Sequence, residues 1–172
     1  MKIRLAAPIT KDSIVDGPGL RMVIWTQGCV HHCAGCHNPE THSLTAGMEI
    51  DTSSIISEME QIKLHRGITL SGGEPFLQTE ALIGIAQRAK QLGLDVWSYS
   101  GFTWEQLNNC KAANYQSNVK LLQYIDVLVD GRFMLHMRQP GLRFRGSANQ
   151  RIIDVQQSLD QNDVVLASYC VY

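Results

Sequence analysis

Three of the five cysteines in this chain, Cys29, Cys33 and Cys36, fall within eight residues in the spacing Cys-x3-Cys-x2-Cys. The loop that holds them runs Gly28-Cys29-Val30-His31-His32-Cys33-Ala34-Gly35-Cys36-His37-Asn38-Pro39. Thiolates this close can converge on one metal centre, yet three is one short of the four that closed metal sites use. An iron–sulfur cube held by three cysteines leaves one iron without a protein ligand, and an open iron can bind a substrate. The metal rival is structural zinc, with His31, His32 or His37 as the fourth ligand. Zinc sites are usually built from paired Cys-x2-Cys units or from Cys-x2-Cys with His-x3-His, and only one such cysteine pair is present. The spacing therefore favours iron–sulfur over zinc. A disulfide within the loop is the weakest reading in a reducing compartment.

The second chemical element is Thr69-Leu70-Ser71-Gly72-Gly73-Glu74-Pro75. Paired glycines let backbone approach a ligand closely and can adopt positive φ, while Pro75 fixes the next φ. Exposed carbonyls and a carboxylate at a strand end suit an ammonium group. Taken alone, the same residues also describe an ordinary strand–turn–helix junction.

Both elements need a scaffold, and the surrounding pattern alternates strands with helices. Strands are expected at Arg21–Thr26, Gly67–Leu70, Leu94–Tyr99 and Ile125–Val129, by their apolar, β-branched runs and flanking turn residues. Helices are expected over 53–64, 78–92 and 103–113, the first capped by Thr52 or Ser53 and presenting Ile55, Ile56, Met59 and Ile62, the second closed by Gly93. Strands separated by helices imply a parallel sheet with right-handed crossovers, whose functional loops gather at the C-terminal strand ends. The cysteine loop, the Gly-Gly-Glu turn, Tyr99-Ser100-Gly101 and Asp130-Gly131 all fall at that edge. A closed eight-unit barrel needs about 250 residues, and this chain has 172. The expected fold is α/β: an open, partial (β/α) barrel of about four to five βα units, mostly parallel, in one domain spanning the chain.

Bulk properties narrow the function classes. Net charge is −1, so nothing global argues for nucleic acid or an anionic membrane. No apolar run is long enough for a signal peptide or spanning helix, which points to the cytoplasm. There, an odd number of clustered cysteines suggests metal or redox chemistry rather than a disulfide scaffold.

Together, Cys29-x3-Cys33-x2-Cys36 and Ser71-Gly72-Gly73-Glu74-Pro75 resemble the radical S-adenosylmethionine superfamily. Ser13-Ile14-Val15-Asp16-Gly17-Pro18-Gly19-Leu20-Arg21 and Cys36-His37-Asn38-Pro39-Glu40-Thr41-His42 are similar to segments of its glycyl-radical-enzyme activases. Val96–Trp104 and Leu142–Arg151 resemble one branch of these, the activases of anaerobic (class III) ribonucleotide reductase. The absence of any further cysteine group matches that small branch.

The resemblance implies one [4Fe–4S] cluster on Cys29, Cys33 and Cys36, with the amino and carboxylate groups of S-adenosyl-L-methionine on the open iron. It places that cofactor against Gly35, Cys36, His37 and the Gly72-Gly73-Glu74 turn, with Ser100 and Asp130 as further contacts. It implies reductive cleavage to methionine and a 5′-deoxyadenosyl radical, which removes hydrogen from a glycine Cα of the large catalytic reductase subunit. A one-electron donor such as flavodoxin is the other implied partner. Many superfamily members carry an aromatic residue where this chain has Gly35, so adenine packing falls to other groups, the backbone near His37 or the Phe76 ring.

Between Gly131 and Ile153 stand Arg132, Arg138, Arg143, Arg145 and Arg151 without one acidic residue. A solvated loop face and a docking surface for an acidic partner both account for that run. Cys110 reads as a helical bystander and Cys170 as a small core residue in the final apolar run. His65 and His136 have no ligand-pair spacing, and Trp25, Trp97 and Trp104 read as core.

Overall fold

The computed structural model describes residues 1–168; the reading of Cys170 lies outside them. Its centre is a parallel run of four strands: β3 (Arg21–Thr26), β5 (Gly67–Gly72), β6 (Asp95–Tyr99) and β7 (Val127–Asp130). These correspond to the four strands expected from the apolar runs. Four further short strands complete the sheet: β1 (Lys2–Leu5), β2 (Thr10–Ser13), β4 (Met48–Asp51) and β8 (Arg151–Asp154). The order is β4-β1-β3-β5-β6-β7-β8, with β2 also on β3, and the sheet does not close on itself.

The sheet is mixed rather than mostly parallel. All four short strands pair antiparallel: β1 with β3 and β4, β2 with β3, and β8 with β7. Each has only four residues, and β1, β2 and β4 carry charges such as Lys2, Lys11 and Glu49. They lack the apolar signature of a buried strand and are held by their neighbours. On β1 and β4 the charges set register: Lys2 stands opposite Asp51 at 3.0 Å and Arg4 opposite Glu49 at 3.2 Å.

Helices α1 (Thr52–Met59), α2 (Thr79–Gln91), α3 (Trp104–Leu107), α4 (Tyr115–Leu122) and α5 (Val155–Gln161) complete the fold. The first helix is shorter than expected and begins after Asp51, not Thr52 or Ser53. Ile55 and Met59 enter the core, with Ile56 and Ile62 at its margin. The helix expected over 103–113 stops after one turn. A reciprocal capping box between Thr103 and Gln106 starts α3. Asn108 and Asn109 then end it by hydrogen bonding to nearby backbone. Exposed Cys110 therefore lies in a turn, outside any helix. No helix among the described residues is long and apolar enough to cross a membrane.

The strand period of two divides the sheet into unlike faces. Met22, Ile24, Ile68, Leu70, Val96 and Leu128 join Leu82, Ile85, Ala86 and Ala89 of α2 in the main core. Trp97, Val127, Val129 and Ile152 form a smaller cluster that Tyr99 and Phe144 adjoin. Arg21 is fully buried; it donates to Thr69 Oγ1 at 2.8 Å and the Ile68 carbonyl at 2.6 Å, and pairs with Asp95 at 2.5 Å. Its guanidinium also lies 5.9 Å from the Trp97 ring centroid. Arg21→Ala strips these partners at once and is expected to lower stability by about 3 kcal/mol, read as a shifted urea midpoint at unchanged slope.

Candidate functional site

The cysteine loop leaves β3 at Thr26 and is drawn back by its own backbone. Gly28, at φ +98°, donates its N–H to the Thr41 carbonyl at 3.0 Å, and Gln27 Nε2 reaches the Ser43 carbonyl at 2.6 Å. Within the loop Cys36 N donates to the Cys33 carbonyl at 3.1 Å. Cys29 is buried, whereas Cys33 and Cys36 are partly exposed. Burial pushes the Cys29 thiol up from its usual range, and the Glu74 carboxylate adds to that. Asn38 N–H donates to Cys36 Sγ over 3.4 Å.

Beside the loop, β5 runs into Gly72-Gly73. The register of Thr26 opposite Gly72 continues as Gly73 N to the Thr26 carbonyl and Glu74 N to the Gly28 carbonyl, each 2.8 Å. A Cβ on Gly73 would collide with the Gly28 carbonyl, and Gly72 sits at φ +102°. This is where the glycine pair is needed: it lets two backbone segments touch. Cys29, Cys33, Cys36, Gly72 and Gly73 all line one cavity of about 450 Å³, within the range of small-molecule sites.

Of the other expected contacts, His37 and Ser100 line this cavity, while Gly35, Glu74 and Asp130 do not. Gly35, at φ +72°, turns the loop and packs toward Leu135. Glu74 is fully buried and points inward, accepting from Phe76 N, Ser100 Oγ, Gly101 N and His31 Nε2. The sequence suggests a carboxylate offered to an ammonium; the fold has spent it on internal donors. Asp130 is likewise buried, taking the Trp104 amide at 2.7 Å and the Arg151 guanidinium at 2.9 Å and 2.5 Å. Arg151 also holds Glu105 down to about 2 by hydrogen bonding.

Phe76 is excluded as a ring for adenine, because it is buried in the main core. The aromatic groups at the cavity are instead Trp25, Tyr99, Phe133 and Phe144. Trp25 thus faces the cavity, with Nε1 bonded to Thr10 Oγ1 at 2.9 Å, while Trp97 and Trp104 are core as expected. Burial and nearby Asp16 push the Tyr99 hydroxyl above its ordinary range, so it remains a neutral phenol. The sequence groups Arg145 with Arg143, yet the two diverge. Phe144 adopts φ +57°; Arg143 is exposed, and Arg145 lines the cavity with Nη1 on the Gln150 carbonyl at 2.8 Å. Asp16 also lines it. The only signal for Arg145 in the chain is an apolar residue between two arginines.

The histidines beside the cysteines have other partners. Among the described residues no three His, Cys, Asp or Glu side chains are arranged to hold a single ion. His31 is turned to Glu74, His32 packs on His42 with centroids 4.9 Å apart, and His37 packs on Phe133 at 4.9 Å. Three thiols that open onto one cavity fit a cube with one free iron.

The 4Fe-4S single cluster domain family matches residues 15–153. The chain is 39% identical over 147 residues to the anaerobic ribonucleoside-triphosphate reductase-activating protein of Vibrio cholerae, covering 81% of this chain and 90% of that protein. The proteins of the same name from Haemophilus influenzae and Escherichia coli K12 are 36% and 34% identical, each spanning 90% of its own length, with 81% and 80% of this chain covered. This chain belongs to that family. A four-iron, four-sulfur activating-protein family decides between the two metals that the cysteine spacing left open. In the activating-protein family, Cys33→Ala is expected to abolish stable cluster retention, read as iron and sulfide content after anaerobic reconstitution, while the stability of the metal-free protein stays within about 1 kcal/mol of wild type.

Proposed function

We propose that this protein activates an anaerobic ribonucleoside-triphosphate reductase by generating a glycyl radical on its large catalytic subunit, as a radical S-adenosylmethionine oxidoreductase. One observation carries the reading: in a chain of this family, Cys29, Cys33 and Cys36 open together onto a cavity that Gly72 and Gly73 also line. The bound cluster would supply the electron for reductive cleavage of S-adenosyl-L-methionine, the source of the hydrogen-abstracting species. The rest is the work of the chain itself.

Cys29, Cys33 and Cys36 would hold the cube. Gly72 and Gly73 would present backbone to the amino acid part of the cofactor, and His37 and Ser100 would flank it. Gly35 serves by turning the loop at positive φ, and Glu74 and Asp130 by bracing the neighbouring turns. Arg145 is the guanidinium of the cavity lining, suited to a carboxylate. Phe133, Phe144 and Tyr99 offer apolar surface that can exclude water from a purine-sized group. Hydrogen-atom transfer needs no side-chain base, so positioning and exclusion of solvent are the protein's main tasks. Arg145→Ala is expected to raise the Kd for S-adenosyl-L-methionine about tenfold, read by calorimetry on the cluster-loaded protein, with iron content unchanged.

The sheet would act as an open partial barrel of βα units whose mouth admits a loop of a folded partner. Arg132, Arg138 and Arg143 are exposed in a segment without acidic residues. With a net charge of −1, this is a local positive patch, suited to steering an acidic face of the catalytic subunit or of a one-electron donor such as flavodoxin. Free thiols at the site and an anaerobic partner agree with a cytoplasmic setting. The decisive assay mixes the protein anaerobically with the catalytic subunit, S-adenosyl-L-methionine and a reductant. A glycyl doublet by electron paramagnetic resonance is expected; none, with an intact cluster, would reject the reading. Arg138→Glu with Arg143→Glu should slow radical formation severalfold at low salt, and the difference should shrink as salt is raised.

A further inference from the structure

The Gly-Gly-Glu turn ends on a carboxylate that has no free valence for a ligand. An ionised carboxylate offers about four acceptor sites, and on Glu74 all are occupied. Oε1 accepts from Phe76 N at 3.0 Å and Ser100 Oγ at 2.9 Å; Oε2 accepts from Gly101 N at 2.8 Å and His31 Nε2 at 2.8 Å. These donors come from three separate segments: the turn after β5, the turn after β6, and the cysteine loop.

His31 is the cysteine-loop contribution, midway between Cys29 and Cys33. Its ring is clamped from several sides. Arg132 Nε approaches Nδ1 at 3.3 Å, and Phe102 packs edge-on with centroids 4.5 Å apart. Gly101 lies so close that a Cβ there would collide with the ring. A guanidinium can only donate, so Nδ1 accepts and Nε2 carries the hydrogen given to Glu74. Both ring nitrogens are thereby used, and neither is left to bind a metal.

We propose that His31 is a positioning residue, and that its clasp with Glu74 fixes the cysteine loop over the Gly72-Gly73 backbone, so that Glu74 serves the cofactor through His31 and not by touching it. The inference rests on the reading of the cavity as the S-adenosyl-L-methionine site. It makes the acidic end of the turn a brace between the cluster loop and the sheet edge. Arg132, from the exposed arginine-bearing segment, fixes the outer side of the same ring.

The test is a double-mutant cycle with His31→Ala and Glu74→Gln, read as the Kd of S-adenosyl-L-methionine and the resonance line shape of the reduced cluster with and without it. Each single change should weaken binding about tenfold, and the double change by about the same tenfold. His31→Gln, whose amide can still donate to Glu74, should recover most of the loss. Independent effects that multiply to about a hundredfold, or wild-type affinity in His31→Ala beside a weakened Glu74→Gln, would overturn the clasp. If His31→Ala cannot be prepared folded, nitrogen-edited spectra of the metal-free wild-type protein read the same geometry. A ring protonated at Nε2 and slow to exchange is expected, and an Nδ1-protonated ring overturns the proposal. Wild-type protein that holds its cluster but binds no S-adenosyl-L-methionine would instead overturn the cofactor reading, a result that these spectra separate from failure of the clasp.

Discussion

The parallel pairing of β3 with β5, from Arg21 opposite Gly67 to Thr26 opposite Gly72, sets where the cysteine loop and the glycine turn meet at the cavity. Because the two strands end level, the ladder continues past them as Gly73 N to Thr26 O and Glu74 N to Gly28 O. Backbone hydrogen bonds thus bring the start of the cysteine loop against the glycine turn. A slip of one residue would reverse the faces of β5, sending Ile68 and Leu70 out of the main core and Thr69 into it. The same apolar pattern that buries the helical side of the sheet therefore keeps the cysteine loop in place.

Polar pairs flank the central strands at both ends. Arg21 and Asp95 meet near the starts of the strands, whereas two separate pairs, His31 with Glu74 and Asp130 with Arg151, lie near their C-terminal ends. Each buried carboxylate has its donors, as buried charge demands. Between these two polar layers lie Trp97, Val127, Val129 and Ile152. Such a layout gives a firm floor to a site whose upper wall is a loop-rich segment, Gly131 to Gln150.

Much of this was legible in the residues. Arg21–Thr26 and the following cysteines carry their signals locally, through an apolar run and a ligand spacing, and Gln78–Leu92 through helical periodicity and a terminal glycine. The four short strands were not legible, because four residues with a charged face look like loop until a neighbour pairs with them. Helix α4 was hidden for a similar reason: the two asparagines after Leu107 break the run, and the helix itself is mostly polar, with Val119, Leu121 and Leu122 as its aliphatic residues. At the site, residue type announced the chemistry but not its direction. Glu74 and Asp130 are acidic as a ligand would require, yet both face inward, and only three-dimensional neighbours such as His31 and Arg151 reveal it. Gly35 and Arg145 traded roles for the same reason, one serving the loop and the other the cavity.

The three cysteines differ in exposure, and that makes them unequal toward oxidants when no metal protects them. Cys29 is buried with its thiol held protonated, the less reactive form. Cys33 and Cys36 are partly exposed. Damage by peroxide would begin with that outer pair, where access is greater. Neither residue belongs to a hydrophobic cluster, so the donor set can be lost while the sheet beneath it stands. Storage and ageing of the metal-free protein would then leave a chain that is folded by every global measure and no longer able to be rebuilt.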